Sequence, residues 1–261
     1  MKMIFYYADP TGNITLLAPL SSDAADISRE AVRLMQAEPA AEQVGFLDSG
    51  GPGYDISLQM AGGEFCGNAA LSAAAVVALN KGKKRREREI IRVSVSGSAE
   101  PVPVQVRQTG SNTFIGTVAM PAPTEISTVS FCCCGREFSF SAVRFEGITH
   151  LLSFRPLDKE TAEKIVKDHS SALQADALGI MQIDLDAGTL LPLVYVPKSG
   201  TLFWEGSCAS GTAAAGAYLR KTCGPGKWEF TEPAGRLIIE AQHDGRLLLT
   251  GSVSLTVREY P

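Results

Sequence analysis

Two stretches of this chain set a cysteine between an acidic lead-in and a run of small residues that reads as a helix: GGEFCGNAALSAAA, Gly62 to Ala75, and FWEGSCASGTAAAGAY, Phe203 to Tyr218. Asn68, Ser210 and Thr212 are residue types that cap helices, and the alanines beyond them propagate a helix. Each thiol is therefore expected at or just before a helix N-terminus, where unpaired N–H groups and the helix dipole favour negative charge. Two chemical consequences follow. The thiol should ionise below its usual range of about 8.5, and N–H groups bared by Gly67 and Gly211 should hold a substrate carboxylate. Small side chains also let each helix pack closely against its neighbours.

Around these helices the chain is mostly short apolar-alternating runs, among them MIFYYA, NITLLAP, YDISLQM, VPVQVRQ, TFIGTVAM, HLLSFRP, KWEFTEP, RLIIEAQ and RLLLTGSVSLTVREY. Turn sequences such as DPTGN, DSGGPGYD and HDGR separate them, as a β-rich architecture with tight connections requires. Two further helices are expected. One runs from Ser22 to Glu38 behind Ser-Asp caps, with Ile27, Val32 and Leu34 on its apolar face. The other runs from Leu157 to Leu173, opened by Asp158, with Ala162, Ile165 and Val166 inward. Strands, helix, strands and cysteine helix occur in that order twice, with MPAPTE (Met120 to Glu125) as the joint. The expected domains are residues 1–120, carrying Cys66, and 121–261, carrying Cys208, with a last strand near 250–261 returning to the first.

The 261 residues suffice for a sizeable core, and 45% apolar with 20% charged residues is ordinary for a globular protein. A formal charge of -4 argues against nucleic acid or an anionic membrane surface as partner. KGKKRRERE, Lys81 to Glu89, contains acids and lacks interleaved aromatics, so it reads as a solvated loop. No apolar run approaches the ~20 residues of a membrane span. MKMIFYYADPTGN lacks a secretion signal's apolar core, so a cytoplasmic location with reduced thiols is expected. The six cysteines and three histidines form no metal-site spacing. Cys132, Cys133 and Cys134 read as strand residues whose side chains alternate between faces; no metal is expected.

Either cysteine alone is most simply a small buried residue at a helix start. The pair, in matching context behind Glu64 and Glu205, points to catalysis. A single nucleophilic cysteine normally wants a histidine base, and no Cys–His spacing argues for one. Two thiols in two related halves suit acid–base work on opposite faces of one carbon: one removes a proton, the other donates one. That is stereoinversion at an amino-acid Cα without a cofactor. Helix N-termini would stabilise the enediolate-like charge that develops on the carboxylate.

The motifs EFCGNA and SCASGTAA resemble the paired motifs of the diaminopimelate epimerase-like superfamily, which includes diaminopimelate epimerase, proline racemase and the phenazine-biosynthesis isomerases. DPTGN (Asp9 to Asn13), EQVGF (Glu42 to Phe46), VSG (Val95 to Gly97), LPLVYVP (Leu191 to Pro197) and EPAGRLII (Glu232 to Ile239) follow in the same order. Within the superfamily the pattern is similar above all to the histidine racemases of staphylopine-type opine metallophore biosynthesis. The resemblance implies an α+β fold of two pseudo-symmetric domains, each a β-barrel-like sheet wrapped around a central helix, with the active site in the cleft between them. It implies Cys66 and Cys208 as the acid/base pair, no cofactor, and an amino-acid substrate. Gly67, Asn68, Gly211 and Thr212 would hold the α-carboxylate, and Asn13 and Gln43 would contact substrate. His150, in GITHLL, falls where the superfamily has a histidine near the thiols, although Gly147-Ile148 replaces the family's Gly-Asn ahead of it. A supporting role and a strand histidine satisfied by backbone weigh equally. A homodimer is compatible with the family.

Diaminopimelate epimerase reads its substrate's distal end with a Glu-Arg pair, whereas here Glu205 is followed by Gly206 and no arginine lies between Phe203 and Leu219. A buried distal carboxylate without a guanidinium partner is costly. Glu42 and Glu205 suit an imidazole N–H instead. The expected activity is L-histidine to D-histidine racemisation. Alternatives on the same fold are another amino acid, diaminopimelate included, or a phenazine-type isomerisation.

Overall fold

The computed structural model describes residues 3–20, 27–82 and 87–260. The chain forms two compact units, Met1–Ala119 with Thr250–Pro261, and Met120–Leu249. In the first, β1 (Met3–Asp9), β2 (Thr15–Pro19), β3 (Gln43–Gly51), β4 (Tyr54–Met60), β5 (Arg88–Val95), β6 (Val102–Gln108), β7 (Thr113–Met120) and the distal part of β16 (Leu247–Tyr260) pair in that order. β16 then pairs antiparallel with β1, Met3 opposite Tyr260 and Asp9 opposite Ser254, so the eight strands close on themselves. Closure leaves no free edge and makes an interior that one helix can fill. Helix α2 (Gly67–Lys81) fills it: every residue from Gly67 to Val76 is buried. Its glycine, alanines and serine permit the close approach that bulkier residues would prevent. It ends on Gly82, left-handed at φ 59°, the usual helix stop.

The second unit repeats this order. β8 (Glu125–Cys133), β9 (Arg136–Arg144), β10 (Ile148–Ser153), β11 (Ala177–Asp184), β12 (Thr189–Val196), β14 (Gly226–Glu232) and β15 (Gly235–Ala241) form its sheet, and β13 (Thr201–Trp204) flanks β12. α4 (Ala209–Cys223) is buried at Ala209 and from Gly211 to Ala217. In each unit a parallel strand pair, β2/β3 or β10/β11, is joined through a helix, α1 (Ile27–Ala37) or α3 (Lys159–His169). Asp158 caps α3, its Oδ1 accepting Thr161 N–H at 2.9 Å. Ala162, Ile165 and Val166 pack with Leu151, Leu178, Ile180 and Leu193. Each large apolar side chain so buried is worth ~1.5–3 kcal/mol.

The structure departs from the sequence reading in four places. The Ser-Asp caps of the first helix lie outside the described residues, and Val32 is 56% exposed; Ala31 and Leu34 instead form the buried stripe against Leu16, Val44 and Phe46. β11 escaped the alternation test because it runs between strands with both faces covered: Leu178 to Met181 are all buried. β13, four residues long, carries too short a pattern to read. Cys134 is a turn residue at φ 50°, where Cys133 is buried at the end of β8 and Cys132 is exposed. Lys81 of the basic run sits 3.3 Å from Asp55 and 3.7 Å from Glu89; residues 83–86 lie outside the described residues.

Candidate active site

In the first unit Cys66 is itself the N-cap of α2, with φ -128° and ψ 112° and its Sγ accepting Ala69 N–H at 3.4 Å. The segment ahead of it is clamped by the VSG turn. Ser96 Oγ accepts Met60 N–H and donates to the Glu64 carbonyl, both at 2.9 Å. Gly97 sits at φ 74°, and a Cβ there would strike the backbone nitrogen of Phe65. The Cys66 thiol donates to Gln43 Oε1 at 3.4 Å. Gln43 opens β3 directly opposite Thr15 on β2, and its amide donates to Asn13 Oδ1 at 2.6 Å and Thr15 Oγ1 at 2.7 Å. Asn13 in turn donates to Glu42 Oε2 at 2.9 Å. Burial raises the Glu42 carboxyl above its ordinary range; the Asn13 amide works against this and Asp9 adds to it. Asn13, Glu42, Gln43 and Cys66 are thus one hydrogen-bonded line. Gly67 and Asn68 begin the buried first turn, and Asn68 Oδ1 meets no donor among the described residues.

In the second unit Cys208 caps α4 with nearly the same geometry, φ -132° and ψ 103°, its Sγ accepting Gly211 N–H at 3.4 Å. Its surroundings differ. Cys208 is buried, its N–H donates to Glu232 Oε2 at 2.7 Å, and Thr212 Oγ1 donates to Glu232 Oε1. Burial pushes the Glu232 carboxyl up to about 8, the Thr212 and Cys208 bonds opposing and Glu205 adding. The Cys208 thiol is likewise pushed well up, first by burial and then by the charges of Glu205 and Glu232, against a Ser210 hydrogen bond. That corrects the expectation of an acidified thiol at this cap. Desolvation and two carboxylates outweigh the helix terminus. Gly211 leaves room for Met181, whose sulfur a Cβ would strike. His150 stands on β10, wholly buried, and its Nε2 lies 2.9 Å from Ser210 Oγ. It bonds a side chain rather than the backbone, and burial lowers its ring to about 3.

The residues picked from sequence therefore fall into two sets: Asn13, Glu42, Gln43, Cys66, Gly67 and Asn68 in one unit, and His150, Glu205, Cys208, Gly211 and Thr212 in the other. Sequence reasoning missed Glu232, Ser210 as a bridge, and Ser96. Glu232 lies in the quoted EPAGRLII segment, and its signal was an acid at the buried end of an alternating strand. Among the described residues no group of three or more His, Cys, Asp and Glu is placed to hold a metal ion.

Two sheet units, each holding a small-residue helix capped by a cysteine, define the class: an α+β protein of two like halves, the fold also seen in solved epimerases and racemases. A hydroxyproline epimerase from Agrobacterium vitis, solved with bound trans-4-hydroxy-L-proline, superposes with a TM-score of 0.69 at 12% identity over 99% of this chain and 92% of that one, a likeness of fold. Residues 2–258 match the family described as "Histidine racemase CntK N-terminal domain". A histidine racemase from Fusobacterium nucleatum is 32% identical over 260 residues, 96% of this chain and 93% of the relative. One from Staphylococcus aureus is 27% identical over 245 residues, 90% and 86%. The chain belongs to the histidine racemase family, and it is an amino-acid racemase.

Proposed function

We propose that this protein interconverts L- and D-histidine by a two-thiol mechanism without a cofactor, as a step toward an opine-type metallophore in a reducing, cytoplasmic setting. The observation that carries the mechanism is the matched pair of caps. Cys66 and Cys208 share backbone angles, and each sulfur accepts the N–H three residues on at 3.4 Å. Two such sulfurs, each at the first turn of a helix, supply a base, an acid and an anion-binding helix terminus in duplicate.

One thiolate takes the Cα proton, and the bonding pair moves into the carboxylate as an enediolate held by first-turn N–H groups. The opposite thiol returns a proton to the other face, so one proton has passed from one sulfur to the other. The reverse reaction, or exchange with solvent, resets the pair. Histidine is supported by the names of the relatives and by two carboxylates, Glu42 and Glu205, able to accept from an imidazole N–H.

The test is L-histidine in D2O with no pyridoxal phosphate added. D-Histidine should appear with deuterium at Cα, and Cys66→Ala or Cys208→Ala should abolish it. Substantial racemisation by either variant refutes the two-thiol mechanism. Racemisation of another amino acid in preference to histidine refutes the substrate.

A further inference from the structure

His150, Ser210 and Cys208 form a line whose hydrogen-bond direction the surroundings decide. His150 Nε2 is 2.9 Å from Ser210 Oγ, and that oxygen is 3.6 Å from Cys208 Sγ. Two directions are conceivable. Protons could point from sulfur through the hydroxyl to an accepting Nε2, making His150 a remote base. Alternatively Nε2–H donates to Ser210, and the hydroxyl proton points at the sulfur.

The far side of the ring discriminates. Nδ1 is buried and has no hydrogen-bond partner among the described residues. It faces the Cα of Gly179, where an added Cβ would lie 2.5 Å from Nδ1, and the same Cβ would lie 2.9 Å from Met181 Cε. Phe145 presents to the ring at 70°, with centroids 6.3 Å apart. A neutral imidazole has one N–H. Placed on Nδ1 it would be a buried donor facing apolar groups, and orphaned buried donors are rarer than unfilled acceptor sites. Placed on Nε2 it meets Ser210, and the unpaired site is a lone pair. Burial also lowers the ring to about 3, so it resists a second proton near neutrality.

We infer that His150 carries its single ring proton on Nε2 and acts through Ser210 as a positioning residue, turning the hydroxyl proton toward Cys208 to hold the thiolate rather than to accept its proton. The inference rests on the two-thiol reading for its catalytic meaning. The sulfur is then approached by two donors, Gly211 N–H and Ser210 O–H, on a site otherwise raised by Glu205 after β13 and Glu232 at the end of β14. Those carboxylates oppose ionisation; the His150–Ser210 line favours it.

The test is NMR on the whole protein labelled with 15N-histidine and 13Cβ-cysteine. The His150 signals, assigned by loss in His150→Gln, should show hydrogen on Nε2 and none on Nδ1 from pH 5.5 to 8.5. Hydrogen on Nδ1 overturns the inference. Ser210→Ala should raise the Cys208 titration midpoint by ~1–2 pH units, the worth of one hydrogen bond to a charged group. Ser210→Thr, which keeps the hydroxyl, should restore it. An unchanged or lower midpoint in Ser210→Ala overturns the inference too. None of these readouts uses turnover, so they stand or fall separately from the racemase activity.

Discussion

Replacing Glu232 with glutamine should remove the alkaline decline in stability of the second unit and expose the acid limb set by His150. The buried Glu232 carboxyl has an ordinary value of 4.5 and sits at about 8 when folded. The native state therefore holds a proton the unfolded chain has lost, and stability falls as pH rises from 4.5 through 8. At ~1.4 kcal/mol for each pH unit the full loss is on the order of 5 kcal/mol. His150 acts in the opposite sense, with its ordinary 6.5 lowered to about 3. Its contribution is complete above 6.5 and is lost as pH falls toward 3, again on the order of 5 kcal/mol. Between 4.5 and 6.5 the two slopes cancel. The wild type should show a plateau there, then lose roughly 2 kcal/mol by pH 8. In Glu232→Gln stability should climb by ~3 kcal/mol from pH 4.5 to 6.5 and stay level to pH 8. The whole curve should start close to the wild type's at pH 4.5, because the amide, like the protonated carboxyl it replaces, can accept from Cys208 N–H on one side and donate to Thr212 Oγ1 on the other. Both tryptophans, Trp204 and Trp228, lie in the second unit, so urea unfolding followed by fluorescence at half-unit pH steps reads it selectively. The lowered carboxyls of that unit, such as Asp158 and Asp244, are solvent-screened and act at more acid pH. If the variant kept a wild-type decline between pH 6.5 and 8, the burial argument for Glu232 would be refuted.

Other substitutions test the scaffolding of the thiols. Gly97→Ala forces a left-handed Cβ against the backbone of Phe65; a loss of about 2 kcal/mol or more in thermal or urea unfolding is expected. Gly211→Ala collides with Met181 and places a methyl 3.2 Å from Cys208 Sγ. It should cost ~1–3 kcal/mol of stability and cut kcat by more than it changes KM; wild-type turnover would show that the cap tolerates a side chain. Gln43→Leu removes the acceptor for Cys66 and the donor to Asn13. It should lower kcat/KM by at least tenfold while the first unit remains folded by circular dichroism.

Several features were legible because their causes are local. A cap depends on residues within one turn, so CGNA and CASGT announced two helix starts, and the caps observed are the cysteines themselves. Asp158 was readable for the same reason. Alternation exposed strands that have one buried face, while β11, covered on both, gave no alternation to detect. Val32 shows the limit of apolar spacing: which face of α1 is covered depends on where β2 and β3 lie, and Val32 falls outside that stripe.

The sequence alone determined that two thiols would stand at two helix termini, and that the chain is built from two like halves. Those are matters of dihedral preference and short-range periodicity, settled within a dozen residues. Only the tertiary structure decided what each sulfur meets. Cys66 reaches back to Gln43, whereas Cys208 is joined to Glu232 well down the chain and, through Ser210, to His150 far up it. Burial and nearby charge are properties of the folded interior, which is why equal caps hold unequal thiols.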